Sequence, residues 1–220
     1  ALGAFARRLH ETALPADLAA IVRRETYIAS EYEPDTIAKV DAAVAEARDA
    51  GDLSGPATTT VELWRRERPR ILALAARTGA LGDVLRERSV PVVTCHADMH
   101  TGNLILDAED RPWIIDWDEV VLAPRERDLM FSVGGGISTS MVTPENTAWF
   151  LEGYGPVDID ADALSYYRHA WAVQDVGGYA WRVLLDATAT PTQRDEAAEI
   201  LVGLFRPGEI VDLAEKPIER

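Results

Sequence analysis

The chain of 220 residues has a single cysteine, Cys95, and so cannot close a disulfide within itself. Its place at the end of an apolar run reads as a packed thiol in a reducing cytoplasm. Lysine is nearly missing: Lys39 and Lys216 are the two that occur. Basic charge in general is short, with 22 Lys and Arg against 37 Asp and Glu, a net charge of −15. That balance argues against a nucleic-acid or anionic-membrane partner and is compatible with drawing in a polycationic small molecule. A solvated acidic surface kept for solubility explains it at least as well. No apolar run reaches the roughly 18 residues of a membrane span, and no basic-then-apolar leader stands at the front. There is no repeat, no low-complexity tract and no G-x-G-x-x-G phosphate loop. A hydrophobic share of 47% is that of an ordinary soluble globular protein, of a length for one large domain or two small ones.

What is present is concentrated in one stretch. The apolar run Pro91–Cys95 reads as a short buried strand, Leu104–Asp107 as a second and Trp113–Asp116 as a third, with residues 108–112 as the turn between the last two. Asp98 and Asn103 then lie on a loop between strands, and Asp116 ends a strand. In an antiparallel hairpin, residue 103 at the start of one strand and residue 116 at the end of the other come to the same end of the ribbon. An Asp, an Asn five residues later and an Asp on the next strand are the groups that phosphoryl transfer from a metal-nucleotide requires. One carboxylate takes the proton of the attacking hydroxyl, while an amide oxygen and a second carboxylate hold Mg²⁺. Hard oxygen ligands of this kind suit Mg²⁺ rather than Zn²⁺. The Asp98-to-Asn103 spacing is that of the kinase catalytic loop H-R-D-L-x-x-x-N, and Asp116 stands where the D-F-G aspartate would.

Other readings of the same residues stay open. His96, Asp98, His100 and Asp116 also suit a transition-metal hydrolase, a reading that leaves Asn103 and the hairpin spacing unexplained. His96, directly after a buried strand, reads as a structural group. His100 either packs under the loop or approaches the substrate, and Gly102 supplies a backbone conformation that a larger residue resists. Asp118, where D-F-G has glycine, is either a solvated turn residue or added negative charge that favours a cationic substrate.

The pattern His96-x-Asp98-x-His100-x-Gly102-Asn103 with Ile115-Asp116-Trp117 resembles the aminoglycoside phosphotransferase family, relatives of choline kinases within the kinase-like fold. The continuation from Leu122 to Phe131, then Gly134–Gly136 and Glu152–Gly155, is similar to the spectinomycin phosphotransferase branch. The resemblance covers roughly residues 90–180 well and the flanks loosely. It implies an α+β fold, the mostly helical C-terminal lobe of a protein-kinase-like enzyme with a small catalytic β-hairpin. It implies Asp98 as catalytic base, Asn103 and Asp116 as Mg²⁺ ligands holding ATP or GTP, and Asp128 as a buried acid bracing the loop. The acceptor would be a small, cationic hydroxyl compound such as an aminoglycoside or aminocyclitol antibiotic, with choline, homoserine, a thiosugar or a macrolide as alternatives.

The remaining chain is read as helical. Residues 1–10 put Leu2, Phe5, Ala6 and Leu9 on one face. A helix of the type L-G-x-F-x-x-x-L-H resembles the one that follows the hinge in this family, so the N-terminal lobe with its Gly-rich loop and strand lysine is expected to be absent. As it stands, the chain is then either the C-terminal lobe of an enzyme, inactive alone, or a non-catalytic half-kinase that binds an acceptor or a partner protein. Further helices are expected over residues 15–30, 34–50, 60–67 with 69–78 (kinked or split), 125–133, 144–154, 161–185 and 193–205. Residues 15–60 would form a helical insertion beside the acceptor, and 91–131 the catalytic core. Trp64, Ile71, Leu72, Leu74 and Ala75 make a core stripe. Tyr154, Tyr167, Asp175 and Trp181 are candidates to line the acceptor pocket, against the plainer reading of aromatics packing the lobe.

Overall fold

Proline and threonine mark where several helices of this chain begin. In the computed structural model, which describes residues 1–28, 34–50, 54–109, 111–133 and 142–218, α3 (Pro34–Ala50), α6 (Pro144–Tyr154) and α8 (Pro191–Leu204) each carry proline at the first helical position. A proline there gives up an N–H that has no partner in the helix anyway. Thr143 and Thr190 close capping boxes with Asn146 and Gln193. The other helices are α1 (Leu2–Glu11), α2 (Ala16–Ala19), α4 (Pro56–Glu87), α5 (Glu126–Leu129), α7 (Ala161–Leu184) and α9 (Ile210–Glu215).

Several expectations are corrected. The helix over residues 15–30 shrinks to α2, because Leu18, Ile21 and Ile28 are 44%, 79% and 47% exposed and have no core to bury. The segment over 60–78 belongs to one helix, α4, with Pro69 inside it. Its buried line runs Trp64, Ile71, Leu74, Thr78, Leu81 and Leu85, and Leu72 falls about 100° off that line and is 38% exposed. On α1 the buried residues are Gly3, Ala6 and His10 rather than the Leu2–Phe5–Leu9 set. The run Gly134–Gly136 lies outside the described residues.

The chain divides into two compact units. One comprises residues 1–27, 83–167 and 217–220, and the other residues 28–82 and 168–216. Among the described residues, the strands all lie in the first unit. β1 (Arg23–Arg24), β5 (Val121–Ala123) and β2 (Val93–Cys95) form a sheet in that order, β1 parallel and β2 antiparallel to the central β5. β3 (Leu104–Leu106) and β4 (Pro112–Ile114) form the expected hairpin, in the register Leu104↔Ile114, Ile105↔Trp113 and Leu106↔Pro112. Its turn is tied by Asp107, whose carboxylate accepts from Trp113 Nε1 and from Arg111 and is pulled down to about 2 by those bonds. α1 packs on α6 and on β2. The α1–α6 contact is backbone to backbone: a Cβ on Gly3 would lie 2.7 Å from Tyr154 N.

The second unit is helical and packs α7 against α8 through Val183, Ala197 and Ala198, with Tyr179 and Leu184 alongside. Arg68 grips Asp41 through Nε and Nη2, both at 2.7 Å, while Trp64 Nε1 donates to the same carboxylate.

Candidate active site

The site begins where β2 ends. Residues His96–His100 form a loop, Thr101–Asn103 make one 3-10 turn, and the chain enters β3. What shapes the loop is Asp128 on α5, 1% exposed. Its Oδ2 accepts from the His96 N–H at 3.0 Å and its Oδ1 from the Ala97 N–H at 2.7 Å. Ala97 has φ +71°, a left-handed conformation that costs an L-residue about 1–2 kcal/mol, and the buried carboxylate holds it there.

His96 is fully buried and joins the loop to the hairpin. Its Nδ1 accepts from the Asp98 N–H at 3.2 Å, so its proton sits on Nε2, which donates to Ile115 O at 3.0 Å. The ring meets Trp117 edge-on at 4.6 Å. With both nitrogens engaged, His96 has none to offer a transition metal, and the hydrolase alternative loses a ligand.

Asn103 fixes the direction of Asp98. The amide Nδ2 donates to Asp98 O at 2.9 Å and to Asp98 Oδ2 at 2.7 Å. Both partners are acceptors, so the NH₂ group must face them, and the Asn103 Oδ1 is turned to the other side. His100 Nε2 stands 3.5 Å from the same Oδ2, while its Nδ1 accepts from the Gly102 N–H and its ring packs edge-on to Phe131. One oxygen of Asp98, Oδ2, is thus flanked by the Asn103 amide and the His100 ring. Glycine at 102 is explained by this histidine rather than by a special backbone conformation: a Cβ there would sit 2.7 Å from His100 Cε1.

Asp116 follows the hairpin ladder. Ile115 N donates to Asn103 O at 3.0 Å, which extends the pairing one step past Leu104↔Ile114 and sets residue 103 opposite 115, with Cα atoms about 5 Å apart. Asp116 is the next residue, exposed, with φ +64°, a region that Asp tolerates better than most side chains. Asn103 Oδ1 and the Asp116 carboxylate are hard oxygen donors from adjacent positions, a set that fits Mg²⁺ and not a soft metal. Asp118 lies in the exposed turn after Asp116.

The remaining candidates have these surroundings. Tyr154 and Tyr167 are both 2% exposed; Tyr154 bonds His10, and Tyr167 lies under the Arg127 guanidinium. Asp175 and Trp181 belong to the helical unit, where Lys39 Nζ sits 5.5 Å from the Trp181 ring centre. Burial pushes the Cys95 thiol up, and it donates weakly to Ala123 O and Pro124 O, so it is no nucleophile. His10, absent from the candidates, bonds Asp128 Oδ2 through Nε2 at 3.0 Å and the Tyr154 hydroxyl through Nδ1 at 2.7 Å. The signal for it was its position four residues after Ala6 on the buried line of α1, since a buried polar group must find partners.

The sequence profile of the phosphotransferase enzyme family, APH, matches residues 1–158. The chain belongs to that family. Among solved structures, the APH chain is similar to spectinomycin phosphotransferase APH(9)-Ia in complex with ADP and spectinomycin, at 29% identity and a TM-score of 0.74, over 97% of this chain and 63% of that one. The AMP-bound complex of the same enzyme gives 30% identity and 0.75, over 97% and 64%. The chain therefore spans just under two thirds of the length of these relatives. No curated protein matches it significantly. The kinase-like fold and the helical lobe with a small sheet accord with these structures. Among the described residues, no helix is long and apolar enough to cross a membrane.

Proposed function

We propose that the protein carrying this APH chain transfers the γ-phosphoryl group of ATP to a hydroxyl of a small cationic acceptor, of the aminocyclitol or aminoglycoside class. The observation that carries the reading is how Asn103 is held: its side-chain nitrogen is committed to Asp98, and its backbone oxygen accepts from the Ile115 N–H, one residue before Asp116. One residue thus ties the proposed base to the strand end that carries the proposed cation ligand.

In this mechanism Asp98 receives the proton of the acceptor hydroxyl as its oxygen bonds to the γ-phosphorus and the bond from that phosphorus to the β-bridging oxygen breaks. Asn103 holds the Asp98 carboxylate in place by hydrogen bonding, with His100 Nε2 3.5 Å from the same oxygen. Asn103 Oδ1 and Asp116 would hold Mg²⁺, which when bound neutralises charge on the phosphates. ATP is favoured over GTP because the similar solved structures hold ADP and AMP. The spectinomycin in one of them supports an aminocyclitol acceptor, and the net charge of −15 suits a cationic one. The single buried thiol fits work in a reducing cytoplasm.

The test is ADP release by the protein with MgATP and a panel of acceptors led by spectinomycin, repeated with Asp98→Ala. Losing a general base should lower turnover by at least about a hundredfold. Turnover near the unaltered level would remove the mechanism, and turnover on choline alone would replace the acceptor class.

A further inference from the structure

The bonds of Asp128 do not end at the catalytic loop. Its Oδ2 also meets His10 Nε2 at 3.0 Å, with the two side chains 3% and 0% exposed. A carboxylate only accepts, so Nε2 carries the proton and His10 Nδ1 is left to accept from the Tyr154 hydroxyl, 2.7 Å away. The Tyr154 ring is itself pinned, stacked on Phe150 at 5.8 Å and covered by the Arg7 guanidinium at 5.7 Å. Behind it α1 and α6 touch backbone to backbone, since a Cβ on Gly153 would come within 3.3 Å of Ala4 N and one on Gly3 within 2.7 Å of Tyr154 N. The chain of contacts thus runs from a rigid helix pair through two rings to the carboxylate that keeps Ala97 left-handed, one residue before Asp98.

We propose that His10 and Tyr154 are positioning residues for phosphoryl transfer: Tyr154 orients the His10 imidazole, the imidazole orients the Asp128 carboxylate, and that carboxylate aims Asp98 through the Ala97 peptide. Neither residue touches substrate. The proposal rests on the phosphoryl-transfer reading above, and it adds that the aim of Asp98 depends on a helix pair outside the loop. Groups held in line by such supporting bonds lose rate, not affinity, when the support slackens.

The experiment compares His10→Leu, His10→Gln and Tyr154→Phe with the unaltered protein, using MgATP and spectinomycin at a temperature where all are folded. His10→Leu should lower kcat by about ten- to a hundredfold with the KM for MgATP nearly unchanged. His10→Gln, whose amide N–H can reach Asp128, should recover most of that loss, and Tyr154→Phe should lower kcat severalfold. Nitrogen shifts of the His10 ring should show the proton on Nε2 in the unaltered protein and a mixture of tautomers in Tyr154→Phe. Amide exchange at His96 and Ala97 should quicken in His10→Leu while the β2–β5 amides stay protected, a readout that needs no activity. Unaltered kcat in all three variants, a loss confined to KM, or no recovery with glutamine would overturn the proposal. If His10→Leu does not fold, the Tyr154→Phe kinetics and the ring-nitrogen shifts decide. Asp98→Ala separates the two claims: if it stays active the phosphotransfer reading fails, and if it is dead while the His10 and Tyr154 variants are normal, only the positioning role fails.

Discussion

Replacing Asp128 by asparagine exchanges one carboxylate oxygen for an NH₂ group at a point where three donors converge. With the amide oxygen in the Oδ2 place, the NH₂ group faces the Ala97 N–H, donor against donor, across the present 2.7 Å. With the oxygen in the Oδ1 place, the NH₂ group faces His96 N–H and His10 Nε2, each now at 3.0 Å from Oδ2. His10 can turn acceptor by moving its proton to Nδ1, but the His96 N–H cannot. Either way one buried backbone donor is orphaned, at about 1–3 kcal/mol, and hydrogen bonds to a charge worth about 1.5–3 kcal/mol become neutral or vanish. Ala97 recovers part of this by leaving its left-handed conformation, about 1–2 kcal/mol. The net loss is about 3 kcal/mol. For a chain of this size that is a fall in Tm of roughly 6–12 °C, followed by far-ultraviolet circular dichroism. A Tm within about 1–2 °C of the unaltered protein, less than about 0.5 kcal/mol, would show that Asp128 does not brace the loop.

Three further changes test other parts of the account. Gly3→Ala gains up to about 1 kcal/mol of helix propensity but drives a methyl into the Phe150 carbonyl, so a net loss of about 1–2 kcal/mol is expected in the denaturant midpoint, and a gain would contradict the backbone contact. Glu126, buried and accepting the Asp160 N–H, has its carboxyl pushed above 4.5 chiefly by desolvation. A raised acid is most stabilising protonated, below its unfolded value, and loses that contribution as pH rises through the folded one. The Tm advantage of Glu126→Gln should therefore grow from about pH 4 to about pH 7, and a constant difference would refute the burial argument. Asp116→Ala should abolish the Mg²⁺-dependent part of ATP binding in a calorimetric titration, whereas unchanged affinity would remove Asp116 from the cation site.

The hairpin and the loop were legible because their signals are local. Apolar strands of three or four residues flank a polar loop whose spacing carries the chemistry, and Leu104–Leu106 pairs with Pro112–Ile114 as the turn residues between them demand. β1 and β5 were not legible. Arg23–Arg24 has no alternation, and Val121–Ala123 is three residues long; pairing partners far along the chain make both of them strands. The helix over residues 15–30 failed for the converse reason, because apolar residues at helical spacing need a surface to bury against and Ile21 has none. Within the site, the loop spacing pointed to Asp98, Asn103 and Asp116. His10 escaped because its partners, Asp128 and Tyr154, lie 118 and 144 residues away, and no window along the sequence joins them.

The central claim is that Asn103 and Asp116 meet at one cation, with Asp98 beside them. Adding Mn²⁺ and ADP to isotopically labelled protein tests it most directly, because a bound paramagnetic ion broadens nuclei near it. The account predicts that the Asn103 side-chain amide and the Asp98 and Asp116 backbone signals broaden first, and that Asp116→Ala removes the effect. Broadening centred on other residues, or untouched by that substitution, would contradict it.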